Sequence, residues 1–321
     1  MQHFSTLNKI FEEQFIKTTF PAHPKNLYDA CNYFLKLGGK RIRPVCVLMS
    51  NELFDNIDPD AFEVANAVEL FHNFTLIHDD IMDKAPLRRG RETVHIKYNE
   101  ATALLAGDVM IVKAYDCINK IKTARLKKIL ALFNKTAREV CEGQQLDMDF
   151  EKMEEVNFDN YLHMITLKTS VLLAASLQMG AVLGGAGLGN QQHIFEFGKK
   201  LGIAFQVQDD YLDALGDPEK FGKKLGGDIL ANKKTFLLIH AMEALSPAGQ
   251  IELKKLLKHN DASKVEKVIA LYHECKAGEW ATALKEKYFN EALEHLEDIA
   301  VTSSRKKDLE ALALFLMQRE S

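Results

Sequence analysis

Strand signals are the first thing missing from this chain. No alternating run is closed by an Asn-Gly or Asp-Gly turn, so nothing in it announces a β-hairpin or a sandwich. Proline is sparse, with seven in 321 residues (Pro21, Pro24, Pro44, Pro59, Pro86, Pro218 and Pro247). The five cysteines (Cys31, Cys46, Cys117, Cys141 and Cys275) are scattered and include no Cys-x-x-Cys pair. That argues against a disulfide or zinc framework and suits reduced thiols of a cytoplasmic protein, mostly filling core. Positive charge is not in excess. A net charge of −4 argues against a nucleic-acid binder held by a basic surface. The opening stretch MQHFSTLNKIFEEQF has no basic segment followed by an apolar one, so no secretory signal is expected. Ser/Gly/Pro-rich linkers are also lacking, which leads to one all-α domain over 1–321, although length alone suggests two.

What remains is helix. Residues 61–83, 100–120, 125–150, 159–186, 190–215, 232–245, 248–258, 263–274, 278–301 and 305–319 carry helical periodicity, with Pro86 and Gly216-Asp217-Pro218 as stops. Val171 to Gly189 is long enough to mimic a membrane span. Ser176, Gln178 and its glycine-rich end instead favour a helix buried in a large core, and no transmembrane segment is expected.

Into this apolar background the chain carries LIHDDIMD at 76–83, and FQVQDDYLD at 205–213 repeats its Asp-Asp-x-x-Asp spacing. One such cluster is unremarkable at a helix end. Two would arise by chance in on the order of a few chains per thousand. On a helix Asp79 and Asp83 stack at i and i+4, with Asp80 about 100° round; Asp209, Asp210 and Asp213 repeat the geometry. Both sets follow apolar runs and are expected to face a shared interior, where six carboxylates cannot all stay ionised without cations. Oxygen donors without His or Cys select a hard ion, Mg²⁺. About three Mg²⁺ would balance six Asp and leave nothing for a diphosphate, so the surplus charge must come from Lys and Arg. Arg88 and Arg89 follow the first motif and Lys223 the second, while Lys168-Thr169 and Lys233-Lys234-Thr235 open two helices. GGKRIRP at 38–44 has no carboxylate of its own. Its Lys40 and Arg43, with a helix N-terminus, suit a second anion held without metal.

GGKRIRP, HNFTLIHDDIMDKAPLRRG and FQVQDDYLDALGDPEKFGKKLGGD, in this order and spacing, closely resemble the trans-isoprenyl diphosphate synthases, or polyprenyl synthetases. AGDVM, EGQQLD and LKTSVLL between them fit as well, and the similarity covers essentially the whole chain. The resemblance implies an all-helical bundle around a central cavity, usually a homodimer. It implies head-to-tail condensation of isopentenyl diphosphate with an allylic diphosphate. Lys40, Arg43, His72 and Arg89 would then hold isopentenyl diphosphate, and Arg88, Lys168, Lys223 and Lys233 the allylic diphosphate. Asp79, Asp80, Asp83 and Asp209 would bind Mg²⁺, with Asp210 and Asp213 supporting. Thr169 and Gln206 would line the pocket where carbon becomes positive. Thr75 and Phe74, four and five residues before Asp79, resemble the chain-length positions of C20 synthases, with C15 the next choice. His78 keeps a structural reading.

Overall fold

The structure, a computed structural model, describes residues 1–15, 20–217, 225–258 and 263–318. These form α1 (Gln2–Phe15), α2 (Lys25–Leu35), α3 (Ile42–Phe54), α4 (Pro59–Met82), a hairpin of β1 (Leu87–Arg88) and β2 (Arg91–Glu92), and α5 (Val94–Lys97). Then follow α6 (Glu100–Asn119), α7 (Leu126–Lys152), α8 (Phe158–Ile165), a π-turn (Thr166–Ser170), α9 (Val171–Leu183) and α10 (Leu188–Leu215). The last are α11 (Gly227–Leu230), α12 (Phe236–Ala244), α13 (Pro247–Lys258), α14 (Lys264–Glu274), α15 (Ala277–Glu297) and α16 (Ser303–Met317). The chain divides into two compact units, Met1–Phe133 with Ser176–Gln191, and Asn134–Ala175 with Gln192–Ser321.

The all-α expectation holds, with differences of detail. The expected helix ranges begin at residue 61 and so omit α1, α2 and α3. Yet α1 buries Phe4, Leu7, Phe11 and Phe15, a 3-4-4 spacing that lines one helix face. The hairpin also escaped notice, because its turn is Arg89-Gly90. Both residues take positive φ (53° and 72°), the requirement of a two-residue hairpin turn that Asn-Gly usually meets. The expected continuous helix over 159–186 is interrupted by the π-turn.

In the first unit α4 is the spine. Asp58 caps it by accepting from the Asp60 amide at 2.9 Å, and Pro59 fits the first turn, where no amide hydrogen is needed. Val64, Val68, Leu70 and Phe71 are buried along it, each worth about 1.5–3 kcal/mol relative to exposure. The end of α9 packs closely on α3: a Cβ on Gly180 would lie 2.1 Å from the Val47 carbonyl oxygen, and one on Gly184 2.7 Å from that of Asn51. Ser50 Oγ donates to the Leu177 carbonyl at 2.6 Å, and Asn51 Nδ2 to that of Gly180 at 3.3 Å. Glycine in this apolar run is therefore a packing device. Phe158–Leu183 is long and apolar enough to cross a membrane, but 78% of its most apolar window is buried within the protein.

The second unit has its core around Phe236, Leu237, Ile239, Leu253, Val268 and Tyr272, with Tyr161 and Val207 packed among them. Cys31, Cys46 and Cys117 are buried, as expected of core thiols, whereas Cys141 is exposed.

Candidate active site

In the first unit the Gly38–Pro44 segment and the hairpin converge. Gly38 takes a positive φ of 73°, and Gly39 leaves room for Arg89, whose guanidinium nitrogens lie 3.1 and 3.2 Å from where a Cβ would sit. Arg41 is the exceptional residue. It is left-handed (φ 50°), buried, and gripped by Glu12 at 2.8 Å and Glu69 at 2.5 Å, with its guanidinium 5.2 Å from the Phe15 ring. This anchor fixes the loop, and Lys40 lies exposed just before it. Lys40 precedes α3, which begins at Ile42, whereas Arg43 lies in its first turn. Arg43 points to His72 on α4, Nη1 to Nε2 at 3.3 Å. Burial drives the His72 imidazole well below its usual range, and Arg43, Arg89, Arg88 and Arg41 drive it further. A neutral imidazole among guanidinium groups suits an anion that the cations hold and His72 orients.

The acidic motif closes the same helix. Asp79 is half-buried, Asp80 fully buried, and Asp83 exposed at the C-cap, where its amide donates to the Asp79 carbonyl at 2.8 Å. Arg88 Nε lies 2.9 Å from both Asp80 oxygens, its Nη2 2.7 Å from Oδ1, and Nη2 also 3.6 Å from Asp79. Burial still raises the Asp80 pKa, against the pull of Arg88. So the hairpin turns Arg88 back over the motif and locks the middle carboxylate. His78 is structural: its Nε2 pairs with the Leu104 carbonyl at 3.0 Å, and a Cβ on Gly107 would meet the ring at 2.3 Å. Phe74 packs on His78 (4.6 Å) and Phe71 (5.6 Å), and Thr75 donates to the His72 carbonyl at 2.8 Å.

In the second unit the other acidic motif is arranged around the π-turn, a backbone irregularity frequent at functional sites. Gly143 of α7 lets that turn approach closely, since a Cβ there would lie 2.3 Å from the Lys168 amide nitrogen. One helical turn on, Asp147 pairs with Lys168 Nζ at 2.5 Å. Thr169 donates to Gln206 Oε1 at 3.2 Å, and Gln206 Nε2 donates to Asp210 Oδ1 at 2.9 Å. The other Asp210 oxygen accepts from Tyr161 at 2.9 Å and from the Phe236 amide, at the start of α12, at 3.3 Å. Burial and Asp228 push Asp210 up to about 7 despite these donors. Asp213 accepts from the Asp228 amide at 2.9 Å, so it also caps α11.

Asp228, Asp147 and Tyr161 carry no sequence signal of a role in this site. Asp228 lies in the GGD and Asp147 in the EGQQLD stretch, but only the fold gathers them. Burial and the neighbouring Asp213, Asp147 and Asp209 carry Asp228 up to about 6, with Lys233 opposing. Crowded, mutually repelling carboxylates with oxygen-only donors fit a hard divalent cation. Lys223 lies outside the described residues.

A family model described as polyprenyl synthetase matches residues 24–275. The chain is 37% identical over 304 residues to a geranylgeranyl diphosphate synthase of Methanosarcina mazei, covering 92% of this chain and 91% of that protein. It is 37% identical over 298 residues to a short chain isoprenyl diphosphate synthase of Methanothermobacter thermautotrophicus, with 92% and 91% covered. A crystal structure of a geranylgeranyl pyrophosphate synthase superposes with a TM-score of 0.94 at 42% identity, covering 99% of each chain.

Proposed function

The chain belongs to the polyprenyl synthetase family and is a prenyltransferase, and on that premise we propose that it condenses isopentenyl diphosphate head-to-tail with an allylic diphosphate, making short-chain products. The observation that carries this reading is one helix, α4, bearing both a basic cluster and the acidic motif. His72, with Arg43 and Arg89 around it, offers a metal-free basic site. Seven residues on, roughly 10 Å along the axis, Asp79 begins the acidic one. A single-substrate class I terpene cyclase has no use for the first.

Asp79, Asp80 and Asp83, with Asp209, Asp210 and Asp213, would hold Mg²⁺, about three ions by charge balance, and Asp228 joins them. Bound there, Mg²⁺ would supply Lewis-acid stabilisation of the departing diphosphate. Arg88, Lys168 and Lys233 add cationic donors to the allylic diphosphate, and Lys223 belongs to the same proposal. Lys40, Arg43 and Arg89 hold isopentenyl diphosphate so that its double bond meets the allylic carbocation before water does. Gln206 has a defined orientation: its amide nitrogen faces the Asp210 carboxylate, so its oxygen faces Thr169. Two oxygens then line the place where carbon becomes positive. The released diphosphate takes the final proton.

Incubation with labelled isopentenyl diphosphate, Mg²⁺ and dimethylallyl, geranyl or farnesyl diphosphate tests the reading. Elongated diphosphates support it; cyclised hydrocarbons or no turnover overturn it. The product proposed is C20, with C15 as the alternative, and Phe74 with Thr75 as the length-setting positions. Phe74→Ala is expected to lengthen the product, and unchanged length would remove Phe74 from that role. A cytoplasmic homodimer is part of the same proposal and rests on the resemblance alone.

A further inference from the structure

Far from the diphosphate chemistry, α10 and α15 run antiparallel within the second unit. Tyr211 and Leu215 approach Gly278 at one end, and Lys200 pairs with Glu291 at 2.5 Å and lies over the Tyr288 ring further along. At the other end His193 meets His295, Nδ1 to Nδ1 at 3.2 Å, and Asp298 Oδ2 stands 3.7 Å from His193 Nδ1. All three donor atoms lie within 4.8 Å of one another. His193 precedes Asp209 by sixteen residues of one helix, about 24 Å along its axis.

We propose that His193, His295 and Asp298 form a binding site for a Zn²⁺-class transition-metal ion, separate from the Mg²⁺ chemistry. The geometry supports it quantitatively. Two donors 3.2 Å apart, each about 2.0–2.1 Å from one ion, subtend roughly 100° at that ion, and a 3.7 Å pair subtends roughly 125°. The first angle is near tetrahedral and the second wider. Among the described residues His295 and Asp298, within 4.8 Å of each other, form no ion pair, so the exposed Asp298 carboxylate would turn inward on binding and water would complete the shell. Two imidazole nitrogens select Zn²⁺ or its first-row neighbours over Mg²⁺, which takes oxygen donors. His193 and His295 come from two packed helices joined further along by the Lys200–Glu291 pair, and Asp298 caps the second, so the adjustment falls on the exposed Asp298 side chain. Such an ion would tie the end of α15 to the helix that carries the second acidic motif.

The test uses the full chain without a histidine tag, in saturating Mg²⁺. Zn²⁺ is titrated against a chromophoric chelator, and Co²⁺ uptake is followed by its d–d absorption. The wild type is expected to bind one ion that Mg²⁺ does not displace, and Zn²⁺ should raise its melting temperature. His193→Gln, His295→Gln and Asp298→Asn should each weaken that binding by at least about tenfold, the scale that even outer-sphere changes reach. Prenyl transfer by these variants in Mg²⁺ should match the wild type, which separates this site from the proposed function. Asp298 is exposed, so its variant tests the site even if a ring variant fails to fold. Equal Zn²⁺ and Co²⁺ binding by wild type and Asp298→Asn, or displacement by Mg²⁺, would reduce the cluster to an imidazole–imidazole hydrogen bond and overturn the proposal.

Discussion

The two Asp-Asp-x-x-Asp motifs are spelled alike and solve the same burial problem in different ways. In each the middle carboxylate is driven into the protein, Asp80 in the first unit and Asp210 in the second. Asp80 meets a cation, the Arg88 guanidinium, which engages both of its oxygens. Among the described residues, the hydrogen-bond donors to Asp210 are neutral, namely Tyr161, Gln206 and the Phe236 amide. The first motif thus has a positive charge within its own contacts. The second, crowded by Asp228, carries a carboxyl raised to about 7, and relief there comes from a proton or an arriving cation. Equal spelling therefore does not mean equal electrostatics; the partner of the middle Asp decides.

The largest effect should be common to both motifs. Asp79→Ala and Asp209→Ala are each expected to reduce kcat by about 10³-fold or more, a loss typical of removing a group that stabilises developing charge. Near-normal steady-state rates for one of them would remove that motif from the machinery and break the comparison. The next effect separates the motifs. Arg88→Met leaves Asp80 buried without its cation and should cost about 3 kcal/mol in denaturant unfolding, with Asp80→Asn restoring much of it. Tyr161→Phe removes one neutral donor and should cost only about 1–2 kcal/mol. Equal losses would erase the distinction drawn between the two sites. Smaller still, Lys40→Ala should raise the KM for isopentenyl diphosphate roughly tenfold, one lost charge-assisted contact, while leaving that for the allylic primer nearly unchanged. A matching rise in both would take Lys40 out of the metal-free site.

The Asp motifs, the basic segment and the helical class were legible because each is local: spacing on one helix determines which side chains share a face. The partners were not. Arg41 reads as one more basic residue of GGKRIRP, and only the fold shows it buried between Glu12 and Glu69, 29 and 28 residues away. Asp228 and Asp147 reach the second motif through turns that sequence spacing does not encode. Gly143 and Gly202 serve the approach of α7 and α10 to the π-turn, where a Cβ would meet the Lys168 amide nitrogen at 2.3 Å or the Ser170 Cα at 2.8 Å. Close approach of backbones leaves no periodic trace, so such glycines look like ordinary ones until the neighbour is known.

The subtlest consequence of the contrast is one of pH. Asp210 titrates near its ordinary 3.8 when the chain is unfolded and at about 7 when folded. Between those values the folded state holds the extra proton, so this group's contribution to stability falls as pH rises through the window. Asn at this position keeps acceptor and donor atoms for Tyr161 and Gln206 but has no proton to lose. Measured without divalent cations, the melting temperature of Asp210→Asn relative to wild type should therefore improve steadily from about pH 4 to about pH 7. Asp80→Asn should improve in the same direction but much less, because Arg88 opposes the rise that burial imposes on the Asp80 carboxyl. Parallel curves for the two variants would mean that the buried carboxylates are balanced alike, whatever their neighbours.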